Sequence, residues 1–532
     1  MSSVKKLGVM IDCSRNAVMR VDRIKYFMKI VRDMGYDYIS LYFEDVFEVD
    51  NEPMFGYMRG RYSKEDLKDL DRYAVSLGLE LLPCVQTLAH LNQIFRWKEY
   101  SEINDISDTL LVGNERTYRL IDNIFKTVSE CFTSRRINIG MDEAHFAGRG
   151  YYLDKNGYTD RLEVLKRHLT EVNKIAVKYG FSPMMWSDMY FNKAKGGESY
   201  SSLDALVSDM EIPENLGLIC WDYYHTDKEF YKNLLLGHKI FDRKVVYACS
   251  AYTSRGFAPN NAFSVDEIRA GIEASKECGI DEVLVTAWGG NGAECSVFSV
   301  LPSLFIASQI AKDLFNEKDY KEKFKEITGE SFDAFMALDL PNEINIKRTN
   351  YGPSKLMLYN DLFTGIFDYI VKGGENEIYR QYARKLSEYA RESKFAYIFN
   401  CLSSLCEVLS VKYELGVKTR KAYSEKDKKT LKGLVKEYSA VIEKIKKFYS
   451  DFKTAWGGDN KPFGFEIQDI RLGGLILRVE HLRKVLKDYL KGNIKEIPEL
   501  KEKILNIETG KEESGEIPVF NDWKTNVSVN II

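Results

Sequence analysis

The sequence predicts an α/β protein, a (β/α)8 barrel of the TIM type over residues 1–310, followed by a mostly α-helical region over 311–532. Three observations carry this. Eight short apolar runs recur through the first part of the chain, separated by amphipathic helical stretches. Glycines stand where several of those helices should end. From about residue 310 the strand pattern stops and long helical periodicities take over.

In order, the runs are LGVMID (7–12), YISLYF (38–43), LELLPCV (79–85), INIGM (137–141), PMMW (183–186), LGLICW (216–221), KVVYACS (244–250) and EVLVTAW (282–288). Runs this continuously apolar suit parallel strands covered on both faces, and eight strand–helix units in this length suit a closed barrel better than an open sheet. The helical stretch VDRIKYFMKIVRDM ends at Gly35, and Gly78, Gly180 and Gly279 hold the same place before later runs, so a left-handed C-cap is predicted at each. No GxGxxG follows the first run, which argues against a dinucleotide fold. In the helical region, the segments over 376–415 and 426–452 have few breakers and a Lys-rich polar face, the pattern of a solvated helix surface. The Gly- and Pro-bearing stretch Trp456–Gly464 predicts a loop, with Trp456 as a candidate cap over a ligand site.

Composition narrows the function. Lys and Arg number 76 against 79 Asp and Glu, a formal charge of −3, so no global field draws nucleic acid or an anionic membrane surface. The longest uncharged stretch, 295–311, is broken up by serines, a Gln and a Pro and does not read as a membrane span. Nine cysteines, with no CxxC pair, argue against a disulfide framework or a zinc site. The N-terminal stretch MSSVKKLGVMIDCSR lacks the apolar segment of a secretion signal, which predicts residence in a reducing cytoplasm.

In such a barrel the chemistry lies at the C-terminal ends of the strands. The runs are followed by Asp12 to Arg15, by Glu44-Asp45, by Gln86 to His90, by Asp142-Glu143-Ala144-His145, by Asp188, by Asp222 and Tyr223, by Tyr252, and by Gly289 to Glu294. Three of the six tryptophans, Trp186, Trp221 and Trp288, end strands. Flat aromatic faces beside carboxylates suit a sugar. The pair Asp142-Glu143 is the sharpest feature. Adjacent strand residues point to opposite sides, so both can serve one site only where the strand ends and the backbone bends. They cannot readily flank a glycosidic bond from two faces, but one can reach the glycosidic oxygen and the other a neighbouring substituent. An acidic pair that merely caps the next helix is the structural alternative. His145 has no second His at ligand spacing, so a metal site is not expected.

The run INIGMDEAHF resembles the signature of glycoside hydrolase family 20, the β-N-acetylhexosaminidases, with Asn138, Gly140, Met141, Asp142 and Glu143 filling its positions. The likeness extends along residues 1–310. Arg15 matches an Arg that holds sugar hydroxyls, and His90 a conserved His of that pattern. Trp186, Trp221 and Trp288 match the aromatic walls around the acetamido methyl, and Tyr252 the Tyr that hydrogen-bonds the acetamido oxygen. Glu294 is a candidate for hydroxyl binding. Gln86, Leu88 and Ala89 depart from the family's Asp, Pro and Gly before His90. The helical region is not the usual accessory module.

The resemblance implies an exo-acting, retaining hydrolase of terminal β-linked N-acetylhexosamine that uses the substrate's own 2-acetamido oxygen, with Glu143 as acid and base and Asp142 as acetamido partner. It implies no cofactor and no metal. The expected partner is a small oligosaccharide or glycoside, with no nucleic acid and no membrane, and the helical region offers a surface for a homodimer. The alternatives are an ordinary retaining glycosidase with Asp188, Asp222 or Glu294 as nucleophile, and a catalytically silent sugar-binding protein.

Overall fold

The computed structural model describes residues 4–191, 212–344, 352–512 and 517–526. Eight parallel strands close into a barrel. They are β1 (Lys6–Asp12), β2 (Tyr38–Phe43), β3 (Glu80–Val85), β4 (Arg136–Asn138), β5 (Ser182–Trp186), β6 (Gly217–Trp221), β7 (Val245–Ser250) and β8 (Glu282–Ala287). Each falls on one of the apolar runs. β1 pairs with both β2 and β8, which closes the ring. Successive strand residues alternate between the barrel interior and the surrounding helices. Met10, Tyr38, Tyr42, Leu82, Cys84, Met184, Trp186, Ile219, Val246, Ala248 and Leu284 form the inner cluster, with Trp221 and Trp288 packed against it.

The helices between strands are amphipathic. In Val21–Asp33 the side chains of Ile24, Phe27, Met28, Ile30 and Val31 are buried, at the three- and four-residue spacing of one helix face. Lys64–Ser76 opens with a capping box, in which Ser63 Oγ accepts the Asp66 N–H and Asp66 Oδ2 accepts the Ser63 N–H. The expected left-handed caps are present, with φ of 98° at Gly35, 71° at Gly78, 75° at Gly180 and 71° at Gly279.

The chain divides into two compact units, one comprising 1–251, 262–289 and 301–328, the other 252–261, 290–300 and 329–532. The first therefore extends past the boundary expected at residue 310. The reason is the helix Leu301–Ala311, every residue of which is buried. It belongs to the barrel's outer ring: Tyr36 Oη donates to Leu304 O at 2.9 Å and Ser308 Oγ donates to Met34 O. No described helix is long and apolar enough to cross a membrane.

The second unit is helical, built largely on Glu375–Ala390, Ala396–Lys412, Lys428–Asp459 and Glu466–Lys491. It corrects one expectation. Trp456 does not sit in a loop: the helix from Lys428 runs 32 residues, through Gly457 and Gly458, and ends only at Asp459. The indole is buried, lies 5.5 Å from the Phe465 ring and 6.2 Å from Phe452, and donates its N–H to Lys461 O at 2.9 Å. It is a core residue of this unit, not a surface cap. Each Gly costs about 1 kcal/mol against Ala in a helix, less than burying an indole contributes.

Candidate active site

The site is assembled on the first unit at the C-terminal ends of the strands, and its centre is a sharp turn after β4. The sequence extends this strand to Met141, but the ladder stops at Asn138. Ile139 N–H still reaches Met184 O at 2.8 Å, and Gly140 O accepts the Trp186 N–H at 3.2 Å. The backbone then turns left-handed, with φ of 73° at Gly140, 73° at Met141 and 50° at Glu143. A side chain at position 140 would collide with Gln86 Oε1 and Val85 O, so the glycine is required by space as well as by φ. Side chains hold the displaced backbone. Asn138 Oδ1 accepts the Gly140 N–H at 2.9 Å, Gln86 Oε1 the Met141 N–H at 3.3 Å, and Asp188 Oδ2 the Glu143 N–H at 2.9 Å. This turn lets two adjacent carboxylates serve one mouth.

The two carboxylates have different surroundings. The Asp142 side chain is 10% exposed and that of Glu143 is 50% exposed. Asp142 Oδ1 accepts from Gln86 Nε2 at 2.7 Å, and Oδ2 lies 3.2 Å from His90 Nε2. Burial by itself would raise the Asp142 pKa, but His90 and Gln86 hold it below the ordinary carboxylate value. His90 Nε2 also lies 3.5 Å from Glu143 Oε2. Burial and the nearby Arg15 oppose charge on His90, yet the adjacent Asp142 pushes its pKa up to about 9. The His90 backbone is left-handed, with φ of 61°, and its N–H donates to Asp108 Oδ2 at 3.2 Å.

Arg15 projects from the loop after β1. Its Nε lies 3.1 Å from Glu44 Oε1 and its Nη2 3.3 Å from His90 Nδ1, while its side chain keeps 34% exposure. Burial pushes the Glu44 carboxyl up to about 7 despite Arg15. The loop is tied down by the buried Arg59, whose Nη2 donates to Ser14 O at 2.6 Å and whose Nε donates to Asp45 Oδ1 at 3.2 Å.

The three strand-end tryptophans come together. Trp186 and Trp288 have ring centroids 5.8 Å apart, and Tyr42 meets Trp288 edge-on at 4.8 Å. Trp221 stacks on Tyr223 at 5.0 Å, and Trp288 Nε1 donates to Tyr223 Oη at 3.2 Å. Trp221 Nε1 donates to Asp188 Oδ1 at 3.3 Å. Asp188 is buried, and burial together with Asp142 raises its pKa to about 7.

The structure thus gathers Arg15, His90, Asp142, Glu143, Trp186, Trp221 and Trp288. Tyr252, Glu294 and Trp456 belong to the second unit. There Tyr252 is buried with the Arg255 guanidinium 4.1 Å from its ring centroid. Both Glu294 oxygens accept from Lys355 Nζ at 2.8 Å, and Arg471 Nη1 adds a contact at 3.3 Å, so this carboxylate is engaged in a buried ion cluster. The His145 N–H donates to Glu143 O at 2.7 Å, and the described residues hold no group of three or more His, Cys, Asp or Glu that could hold a metal ion. His168 and His238 are buried structural histidines, with Nε2 of the first 2.7 Å from Thr87 O and that of the second 2.9 Å from Ser187 Oγ.

Sequence reasoning noted Gln86 only as a departure and Asp188 only as one of several strand-end acids. Tyr42 and Tyr223 it did not single out as site residues. Their strand-end positions were the available signal. Their roles depend on the geometry of the turn.

Residues 44–240 match the model of the glycosyl hydrolase family 20 catalytic domain, and residues 333–518 match that of the glycoside hydrolase 20C C-terminal domain. The chain is 21% identical over 218 residues to hexosaminidase D of Bos taurus, covering 39% of this chain and 60% of that protein. It is 20% identical over 234 residues to hexosaminidase D of Homo sapiens, covering 42% and 46%. The chain thus spans about half the length of these curated relatives. A family 20 β-N-acetylhexosaminidase structure from Streptomyces coelicolor superposes with a TM-score of 0.46 at 16% identity, over 65% of this chain and 72% of that one.

Proposed function

The chain belongs to glycoside hydrolase family 20, and on that premise we propose that it is an exo-acting, retaining β-N-acetylhexosaminidase that works by substrate-assisted catalysis. The observation that carries this reading is the division of labour between neighbours: Asp142 is buried, with Oδ1 accepting from Gln86 and Oδ2 paired with His90, while Glu143 is half-exposed.

In the first step Glu143 donates its proton to the glycosidic oxygen, a contribution of roughly 10²–10⁴-fold in general acid catalysis. As the bond from the anomeric carbon to that oxygen breaks, the substrate's acetamido carbonyl oxygen bonds to the anomeric carbon from the opposite face. Positive charge develops over the resulting oxazolinium ring. Asp142, kept ionised by His90 and Gln86, accepts the acetamido N–H, aligns the carbonyl and offsets that charge. A carboxylate in a dry site does this more strongly than one in water. In the second step Glu143 removes a proton from water, the water oxygen bonds to the anomeric carbon, and the ring opens to restore the acetamido group. Two inversions give net retention. Trp186, Trp221 and Trp288 exclude water and press the acetamido group toward the anomeric carbon. Arg15 holds sugar hydroxyls.

An ordinary retaining mechanism finds less support. Asp188, the acid at the end of β5, uses one oxygen on the Glu143 N–H and the other on Trp221. Small oligosaccharides or glycosides in a reducing compartment are the substrates of this reading, in keeping with nine buried cysteines, none of them in a disulfide.

The test is turnover of a nitrophenyl N-acetylglucosaminide against the plain nitrophenyl glucoside. The reading expects hydrolysis of the first only. Equal hydrolysis of both contradicts substrate assistance, and hydrolysis of neither contradicts the assignment as a hydrolase.

A further inference from the structure

Asp188 opens the short helix Asp188–Phe191 immediately after β5 and is 3% exposed. It contributes nothing to the chemistry proposed above, yet its carboxylate touches two parts of the site at once. Oδ2 accepts the backbone N–H of Glu143 at 2.9 Å, and Oδ1 accepts the indole N–H of Trp221 at 3.3 Å. Glu143 lies at φ of 50°, in the left-handed region, which a glutamate occupies only where its surroundings compensate the strain. Its N–H lies beyond the last ladder residue of β4, Asn138, so no strand neighbour satisfies it.

We infer that Asp188 is a positioning residue for the proton donor: it fixes the Glu143 backbone in its left-handed turn and joins that turn to Trp221 of the aromatic wall. Of the two, the acid depends on this carboxylate more, because Trp221 is also held by its stack on Tyr223. The Tyr223 hydroxyl accepts from Trp288, so the aromatic lining is tied together without Asp188. This assignment rests on the hydrolase reading.

A group that positions the acid matters most where the acid matters most. Leaving groups of high pKa need the proton, and activated aryl leaving groups scarcely do. Asp188→Ala and Asp188→Asn are compared with the unaltered protein on an N-acetylglucosamine disaccharide and on a dinitrophenyl N-acetylglucosaminide. Displacement of the acid by about 1 Å is expected to lower kcat/KM on the disaccharide by roughly 10²-fold in Asp188→Ala, with less than about threefold loss on the dinitrophenyl substrate. Asp188→Asn should fall between. Its amide oxygen can still accept the Glu143 N–H, while its NH2 group faces the Trp221 N–H, donor against donor. If Asp188→Ala does not fold, the ratio measured for Asp188→Asn decides. Loss by the same factor on both substrates, or no loss on either, overturns the assignment while leaving the hydrolase reading intact. No turnover of either substrate by the unaltered protein overturns both.

Discussion

Asp142 and Glu143 are joined by one peptide bond and occupy different environments, and after His90 the residue that lowers the Asp142 pKa most is Gln86. A carboxylic acid at position 86 would set two like charges 2.7 Å apart, where one proton is shared. An amide instead donates a hydrogen bond to Asp142 Oδ1 and, through its carbonyl, accepts the Met141 N–H of the same turn. Gln86→Glu should therefore raise the pKa of Asp142 from its depressed value. Because the proposed mechanism uses the ionised form of Asp142, activity lost on acidification should be lost at higher pH in the variant, and the pH profile of kcat measures this. An acid limb unchanged by the substitution would mean that Gln86 does not set the charge on Asp142. The Asp-Glu pair was legible in the sequence because adjacency at a strand end is itself informative. The contributions of Gln86 and Asp188 were not, because both act on backbone N–H groups that exist as free donors only once Gly140, Met141 and Glu143 turn left-handed. A strand drawn through residue 141, as the apolar pattern suggests, has no such donors.

At the scale of elements, the strands and the glycine caps follow from local rules: apolar runs flanked by amphipathic helices, and a residue without Cβ where φ is positive. The two misjudged boundaries have one cause, that tertiary contacts outweigh local preference. β4 is cut short because the turn after it is held by Gln86, Asn138 and Asp188. The helix Lys428–Asp459 is prolonged through two glycines because its last turn carries a buried indole, and because Asp459 accepts from Ser296 Oγ at 2.5 Å and from Tyr397 Oη at 2.7 Å. Trp456→Ala should consequently cost about 3–5 kcal/mol of stability, the range for emptying a core aromatic site. Thermal or denaturant unfolding measures it, and kcat/KM of the folded fraction should be unchanged. Normal stability with impaired turnover would restore the reading of Trp456 as a cap.

At the scale of the whole molecule, the barrel is sealed differently at its two ends. The N-terminal ends of the strands carry charge: Arg136 lies 3.0 Å from Glu80 and also pairs with the buried Glu282, which Lys244 reaches at 2.5 Å. The C-terminal ends carry the tryptophans, the Asp-Glu turn and Arg15, as expected of a barrel whose lower face serves stability and whose upper face serves chemistry. The interior between them is a packed cluster that includes Tyr38, Tyr42 and Trp186, so the aromatic wall is an extension of the core and is rigid for that reason. A rigid wall and a fixed, ionised Asp142 suit a site complementary to a cyclic, positively charged intermediate. Inhibition by a thiazoline analogue of the oxazolinium ring tests that complementarity most directly. Strong competitive inhibition of the unaltered protein is expected, weakened in Asp142→Asn together with catalysis. Weak inhibition of the unaltered protein, or capture of a sugar covalently bound to a carboxylate of the chain, would contradict it.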